Sequence, residues 1–311
     1  MGNRIGYVYG ISAYLLWGLF PLYFLLLADI DPFELIPWRV LACLMFCLVF
    51  IAILRKWGPL IAVLRSPKMG GWFTLSALLL YANWQIFIIA VLTGHVIETA
   101  LGYFINPLVT ILLGVIIRRE KLRRVQWLAV GIAALGLVIT AVAYGTMPWI
   151  ALGLAFSFGL YGFVRKQASE QIDALSGLTV ETLAAAPFAI VQLIIVGVIA
   201  GGSGGFTLGG FTHGPWTTLL LIGSGLMTAI PLLLCGAANR RLPLSHMGFI
   251  QFITPILNFL TGTFLLHEPM DPARWIGFAT VWIALILLVG DSVRQARRTP
   301  AESSVPDERL R

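Results

Sequence analysis

Charged or titratable side chains inside long apolar stretches are candidates for function, because a charge there is costly unless it has a partner or a function. The candidates are Arg39, Glu98, Glu181 and His246. Glu98 comes about one turn into its apolar stretch. There it can carry a proton or bind a cationic group, or it can simply cap the start of a helix, whose dipole favours a negative charge. His246 follows 148 positions later, at the equivalent place of a repeat described below, and is a second candidate for titration.

Arg39 lies deeper in its apolar stretch than any other basic residue. It can bind an anionic group of a ligand, or it can form a structural ion pair with Glu181 or Glu34. The ion pair is the favoured interpretation, because charges within membrane-spanning segments are usually paired, and Glu181 is interpreted in the same way.

Polar and aromatic side chains in the middle of apolar stretches are candidates for the wall of a ligand cavity, because such cavities combine aromatic surface with a few polar groups. Amides can instead join helices by hydrogen bonds, an explanation that suits Asn106 and Asn258 at least as well, and aromatic residues often only pack. Five of the candidates, Trp17, Asn83, Trp84, Tyr103 and Tyr161, are predicted to face one central cavity. The full set is Trp17, Asn83, Trp84, Gln85, Tyr103, Asn106, Tyr161, Gln251 and Asn258.

These side chains must be positioned by membrane helices. The chain is 59% hydrophobic and 11% charged, whereas an average soluble domain is about 25% charged. This composition predicts an all-α integral membrane protein, and ten apolar runs have the length of a transmembrane helix. The runs lie at 4–27, 33–54, 70–92, 96–117, 125–143, 147–165, 176–200, 215–238, 244–266 and 273–292.

The fourth and ninth apolar runs belong to two copies of one segment. Laying Pro107 on Pro255 aligns residues 94–122 with residues 242–270 at a constant offset of 148, without a gap. Because a proline removes a backbone hydrogen bond, both helices are predicted to be broken at these prolines. The first and sixth runs also resemble each other at an offset of 144, which places Trp17 on Tyr161.

Charge in the loops indicates that the two copies are inverted. The alternating loop assignment places 19 of the 21 lysines and arginines on one side, and basic loops are typically cytoplasmic. The first copy therefore ends inside and the second outside. We expect two inverted five-helix repeats, 1–144 and 145–293, in the cell membrane, with both termini cytoplasmic, an external glycine-rich loop at 201–214 and a disordered tail at 294–311.

Several stretches together resemble the RarD-type permeases, in the EamA group of the drug/metabolite transporter superfamily. The resemblance covers roughly residues 4–292 and implies ten helices in two inverted halves, with export or exchange of small metabolites by alternating access. Pro37 and the 201–214 loop are not part of the family pattern. The stretches are AYLLWGLFPLYF near the start, NWQIFIIAV at 83–91, ETALGYFINPL at 98–108, LYGFVRK at 160–166 and QFITPIL at 251–257.

Other classes of function find less support in the sequence. There is no HExxH or GxxxxGK[ST] motif, which argues against a zinc-dependent membrane-embedded enzyme and against a nucleotide-driven pump in this chain alone. A channel is disfavoured because an inverted repeat supplies two gates around one site. We expect no cofactor, metal, nucleotide or nucleic acid, and as partners a small-molecule substrate and the lipid bilayer, for a monomer or weak homodimer. The transporter is either a proton-coupled antiporter that uses Glu98, or a facilitator or exchanger without proton coupling.

Overall fold

The computed structural model describes residues 2–119, 122–144, 147–168, 172–201, 214–239, 241–242, 247 and 250–298. These residues form helices and connecting turns, without a β-strand in the described ranges. The helices are α1 (Gly2–Gly18), α2 (Phe20–Leu25), α3 (Pro32–Ile53), α4 (Trp57–Leu64), α5 (Pro67–Leu92), α6 (Val96–Arg118), α7 (Arg124–Tyr144), α8 (Trp149–Ala168), α9 (Ala174–Gly201), α10 (Pro215–Asn239), α11 (Ile253–Leu260) and α12 (Pro272–Arg298), and a π-helical turn (Thr261–Leu265) follows α11.

The helices have the length and surface of membrane spans. In the described part of the chain, 7 helical segments are long and apolar enough to cross a bilayer, one of which (Arg4–Leu25) runs through α1 and α2. Shorter apolar helices lie at Arg124–Ile139, Trp149–Arg165 and Ile253–Leu265. Large apolar side chains cover their outer faces: Val142 is 77% exposed and Ile199 74% exposed. Such a surface is unfavourable in water and favourable against lipid, so the predicted all-helical, multi-pass membrane protein is confirmed.

The first predicted span, 4–27, is two helices rather than one. α1 ends at Gly18 and α2 begins at Phe20, with Pro21 in its first turn. A proline has no N–H to donate and its ring crowds the preceding turn, so Pro21 accounts for the interruption. The structure also has a helix that the sequence reading missed, α4 at Trp57–Leu64, in the predicted loop after the second span.

The predicted helix break at Pro107 was wrong. α6 runs from Val96 to Arg118 with Pro107 inside it. In a membrane helix the flanking turns and neighbouring helices can hold a helix together after the loss of one backbone hydrogen bond. Pro255 lies in the first turn of α11, just after a turn at residues 251–252 that separates α11 from the helical residue 250. The ninth predicted span is therefore interrupted beside this proline, in the first turn of a helix, where a missing N–H costs no hydrogen bond within the helix.

Three helix ends are fixed by identifiable local chemistry. Asp31 caps α3 by accepting a hydrogen bond from the N–H of Phe33 at 2.7 Å. Asp173 caps α9 by accepting hydrogen bonds from the N–H of Leu175 and the hydroxyl of Ser176. At the end of α5, Gly94 takes a φ of 74°, a left-handed conformation that suits glycine and terminates the helix.

The helices pack in pairs around a centre that several of them share. α8 packs against both α5 and α6, while α1 packs against both α10 and α11. α3 packs against α9 and α10, and α5 also packs against α9. α7 and α12 lie together at one side, where Phe278 and Trp282 of α12 contact Phe104 of α6 and Phe259 of α11.

Some predicted features lie wholly or largely outside the described residues. They are His246, most of the 201–214 loop, and the chain beyond Arg298, including most of the predicted tail.

Candidate functional site

A cavity of about 120 Å³ lies at the middle of the helix bundle. Its wall comes from the break between α1 and α2, from α3, from the central turns of α5, α6, α8 and α10, and from the start of α11. The side chains that line it are Tyr14, Trp17, Phe20, Arg39, Leu80, Asn83, Trp84, Phe87, Tyr103, Asn106, Phe158, Tyr161, Thr228, Leu232, Gln251, Thr254 and Pro255.

The structure brings together all five side chains that were predicted to share one central cavity: Trp17, Asn83, Trp84, Tyr103 and Tyr161. Asn106 and Gln251 line it as well. On α5 the spacing explains the shared face, because residues 80, 83, 84 and 87 lie one turn apart on one side of a helix. The predicted set thus converges in space, and whether it binds a substrate stays a prediction.

Asn83 is held rigidly in the cavity wall. Its Nδ2 donates to the carbonyl oxygen of Leu154 at 3.2 Å and to the hydroxyl of Ser157 at 3.0 Å, both on α8. The hydroxyl of Tyr103 donates to Asn83 Oδ1 at 3.4 Å. These bonds join α5, α6 and α8 at the level of the cavity, so Asn83 both lines the cavity and connects its helices.

Two amides that were predicted to line the cavity do not. Gln85 lies on another face of α5 from Asn83, and its Nε2 donates to the carbonyl oxygen of Pro32 at 3.2 Å. Asn258 lies a turn beyond the cavity along α11, and its Nδ2 donates to the hydroxyl of Thr99 on α6 at 3.3 Å. The alternative explanation, an amide that joins two helices, fits Asn258.

The predicted ion pair of Arg39 with Glu181 or Glu34 was wrong. Glu181 is 1% exposed and bonds instead to Arg165 and to the hydroxyl of Ser76, the latter at 2.8 Å. Glu34 accepts a hydrogen bond from Nε1 of Trp38 at 3.2 Å. Trp38 is four residues from Glu34 and shares its face of α3, whereas Arg39 is five residues away and faces the cavity.

Glu181 forms part of a network beside the cavity rather than in its wall. Arg165 donates from Nη1 to Glu181 and also to the hydroxyl of Tyr161, the latter at 2.7 Å. The network therefore joins α5, α8 and α9. Tyr161 is the member that also lines the cavity. The structural interpretation of Glu181 as a paired charge agrees with these contacts.

Glu98 lies in the first turn of α6, which begins at the residue predicted for the fourth span. It is the third residue of α6, half-buried, and it does not line the cavity. The same end of α6 is capped from another helix: the two carboxylate oxygens of Glu268 accept hydrogen bonds from the N–H groups of Val96 at 2.7 Å and Ile97 at 2.9 Å. Burial raises the pKa of Glu268 above its ordinary value, against the opposing effect of these two hydrogen bonds and of Arg274 and His95.

Some cavity residues were missed by sequence reasoning. Tyr14 and Phe20 are each three residues from Trp17, and Phe158 is three residues from Tyr161, so helical spacing was a usable signal. Thr228 and Leu232 come from α10, where the sequence carries no polar or aromatic cluster that singles them out.

Apolar helices around a central aromatic and polar cavity define the class of multi-pass membrane transporters, and comparison with known proteins identifies the family. Residues 4–142 and 146–290 each match the EamA-like transporter family. The chain therefore belongs to the EamA-like transporter family.

Individual relatives match almost end to end. The chain is 40% identical over 308 residues to Protein RarD of Streptomyces exfoliatus, with 98% of this chain and 95% of that protein covered. It is 39% identical over 298 residues to the uncharacterized transporter YojE of Bacillus subtilis (strain 168), with 95% and 97% covered. A protein crystal structure shares the fold, with a TM-score of 0.60 at 17% identity over 96% of this chain and 100% of that one.

Proposed function

We propose that the chain is a secondary transporter that carries a small organic molecule through the central cavity by alternating access. The observation that carries the proposal is the position of the cavity. It lies at the middle of the bundle and is lined by helices from both halves of the chain, at the places where α1 gives way to α2 and where α11 begins. Carriers with repeated halves place their substrate sites in this position, beside interrupted helices.

Three observations support two inverted repeats of five helices each. The family match falls into two stretches of similar length. The long and shorter apolar helices of the described residues occur at the ten predicted spans. Equivalent helices of the two halves also pack in the same way. The contact of α6 with α8 corresponds to that of α11 with α1, and the contact of α5 with α8 corresponds to that of α10 with α1.

We propose that the protein lies in the plasma membrane with both termini in the cytoplasm. The distribution of charge supports this orientation. Basic residues collect at the ends of α3, α6 and α8, while Asp29, Asp31 and Glu268 lie in loops at the other ends of the spans. Basic loops remain on the cytoplasmic side during insertion.

Counterflow in proteoliposomes tests the proposed function. Vesicles are loaded with an unlabelled compound, and uptake of the labelled compound is followed for amino acids, purines and amphenicol drugs. A carrier gives saturable uptake that the internal compound accelerates, whereas unsaturable flux that ignores the internal compound would contradict a carrier. Trp84→Ala in the cavity wall is expected to reduce the exchange, and Trp127→Ala, on the exposed face of α7, serves as the matched control.

Energy coupling is a second proposal: we infer antiport against protons with Glu98 as the titrating residue. Glu98 is half-buried on α6, the helix that also carries Tyr103 and Asn106 of the cavity wall. Its protonation would act on the end of α6 rather than within the cavity, beside the cap that Glu268 supplies. In the alternative, an uncoupled facilitator, Glu98 only favours the start of the helix through the helix dipole.

Glu98→Gln separates these two mechanisms, because glutamine keeps the size and hydrogen bonding of the side chain but does not titrate. Proton coupling predicts loss of transport driven by a pH gradient while substrate exchange continues. Unchanged pH-driven transport in the variant would exclude Glu98 as the proton carrier.

A further inference from the structure

Arg39 is a cation in the cavity wall, and none of the described residues is an acidic partner for it. The side chain is 2% exposed, and its Nε donates to the hydroxyl of Thr228 at 2.7 Å. Its Nη1 has no hydrogen-bond partner among the residues that the structure describes. Three aromatic rings surround the guanidinium: its carbon lies 4.5 Å from the ring centre of Trp84, 5.0 Å from that of Phe24 and 5.2 Å from that of Phe20. Aromatic faces stabilise a cation but do not neutralise its charge.

No carboxylate compensates this charge among the described residues that line the cavity. The ion pairs in the described part of the chain are Lys56–Asp173, Arg123–Asp291 and Arg165–Glu181, and none of them includes Arg39. The nearest network beside the cavity, Arg165 with Glu181, is internally neutral. The cavity wall therefore carries one net positive charge.

An arrangement of this kind is unfavourable without a ligand. A buried charge loses its hydration, and a buried donor without an acceptor costs further free energy. Arginine presents a planar fork of donors that fits two oxygens of one carboxylate or similar group. A ligand that brought such a group to Arg39 would supply both the missing charge and the missing acceptor.

The remaining wall of the cavity indicates what the apolar part of the ligand is like. Trp17, Trp84, Phe158 and Phe87 give it a largely aromatic wall. Its volume is about 120 Å³, and an apolar cavity of about 150 Å³ holds a benzene molecule. The volume therefore limits the apolar part of a ligand to at most about one ring.

We propose that Arg39 is the anion-binding residue of the cavity and that the substrates are small amphipathic organic anions, each with a carboxylate-like or sulfonate-like group and an apolar body of about one ring. The inference rests on the proposed function, since it takes the central cavity as the substrate site. It adds the sign of the substrate charge and the residue that selects it.

Three single-ring probes that differ in charge test the inference on the full chain in nanodiscs. They are benzenesulfonate, its uncharged isostere benzenesulfonamide, and the cation phenyltrimethylammonium, and binding is measured by equilibrium dialysis. A hydrogen-bonded charge contact makes the anion bind at least about tenfold more tightly than the uncharged isostere. The cation should bind most weakly. Equal binding of the anion and the isostere by the wild-type chain would overturn the inference without any variant.

Variants then assign the preference to Arg39. Arg39→Gln should bind the anion and the isostere about equally, and Arg39→Lys, which keeps the charge, should retain part of the preference. Arg65→Gln removes an exposed charge far from the cavity and is the control for net charge. If Arg39→Gln keeps the full preference for the anion, another group binds it and the inference fails.

Counterflow separates the two proposals. Saturable exchange of uncharged or cationic compounds, with anions excluded, would leave the carrier standing and overturn the anion inference. Anion binding that depends on Arg39, without exchange of any anion, would support the site and contradict the carrier. If Arg39→Gln does not fold, the wild-type ranking of the three probes and the Arg39→Lys variant still decide the inference.

Discussion

Arg39 and Arg165 are both arginines within helices of the bundle, but their charges are satisfied differently. Arg165 is 22% exposed in its side chain and is paired with Glu181, while Tyr161 accepts a second hydrogen bond from it. Arg39 has three aromatic rings and one hydroxyl around it. The first arrangement is complete within the protein and stabilises the fold, whereas the second leaves a donor available to a ligand.

Breaking the Arg165–Glu181 pair is expected to destabilise the protein strongly. Removing one partner of a buried pair leaves an uncompensated charge, which costs about 3–5 kcal/mol. Glu181→Ala should therefore lower the thermal unfolding temperature in detergent strongly. Replacing both residues, as in Arg165→Met with Glu181→Leu, should restore part of the loss, because no charge is then left unpaired. A single variant as stable as the wild type would contradict the structural role of Glu181.

The sequence identified which types of residue line the cavity better than it identified where individual side chains point. Asn83 and Trp84 were predicted for the cavity and line it, but Gln85, their immediate neighbour, points elsewhere because each residue turns a helix by 100°. The pairing of Arg39 was wrong because a charge in an apolar stretch says that a partner is needed but does not say which helix supplies it. The aromatic environment of Arg39 depends on how α1, α2, α3 and α5 meet, which one sequence does not contain.

α1 and α11 make a close contact beside the cavity. The hydroxyl of Thr254 donates to the carbonyl oxygen of Tyr14 at 2.8 Å. Gly18 packs directly on Leu257, such that a Cβ on Gly18 would lie 2.5 Å from Leu257 Cδ1 and 2.7 Å from its Cβ. The close approach therefore requires glycine at position 18.

Gly18→Ala should push α1 away from α11. Overpacking of this kind costs about 1–3 kcal/mol, so we expect lower stability and reduced exchange through the neighbouring cavity. Gly162 provides a matched control, because it aligns with Gly18 in the repeat and has no neighbouring heavy atom within 4 Å of an added Cβ. Thermal unfolding of the two variants compares them, and equal effects at both positions would show that helix propensity, not packing, is responsible.

The cap that Asp173 provides for α9 makes the stability of the protein depend on pH. Burial opposes ionisation of this carboxylate, but hydrogen bonds from Ser176 and Lys56 outweigh burial and lower its pKa below the ordinary value. A carboxylate with a lowered folded-state pKa adds stability that is present above its unfolded pKa, about 3.9, and is lost as pH falls through its folded pKa.

Asp173→Asn isolates that charge, because asparagine remains a good helix cap. The wild type should be more stable than the variant at pH 7, and the difference should shrink as the pH falls below about 4. Thermal unfolding of both proteins across this range gives the comparison. A difference that grows towards low pH would contradict the assignment of a lowered pKa.

The positions of the helices could be predicted from the sequence, but the effects of their prolines could not. Helical spans and their approximate bounds could be predicted, since length and hydropathy determine which stretches enter a bilayer. The effect of each proline could not: Pro107 is accommodated within α6, while Pro21 separates α1 from α2. Whether a helix continues past a proline depends on the neighbours that pack around the freed carbonyl group.

The proposed orientation of the whole molecule predicts on which side of the membrane two exposed residues, Gly58 and Ala28, lie. Gly58, on α4, belongs to the basic end, and Ala28, after α2, belongs to the acidic end. In a variant without the native cysteines, Gly58→Cys should react with an impermeant thiol reagent only from the cytoplasmic side, and Ala28→Cys only from the outside. Labelling of both from one side would contradict the proposed topology.

Access to the cavity from both sides of the membrane is the central claim for the molecule. Leu232 lines the cavity from α10 and is partly buried, so Leu232→Cys places a thiol in the wall. Cys43, Cys47 and Cys235 are free cysteines and are replaced first. An impermeant thiol reagent is then applied to either side of oriented vesicles, with and without a compound that the counterflow screen shows to be exchanged.

Alternating access predicts that the cysteine at position 232 reacts from each side, and that the exchanged compound slows the reaction and changes the ratio of the two rates. Reaction from one side alone under every condition, or no reaction from either, would contradict the account.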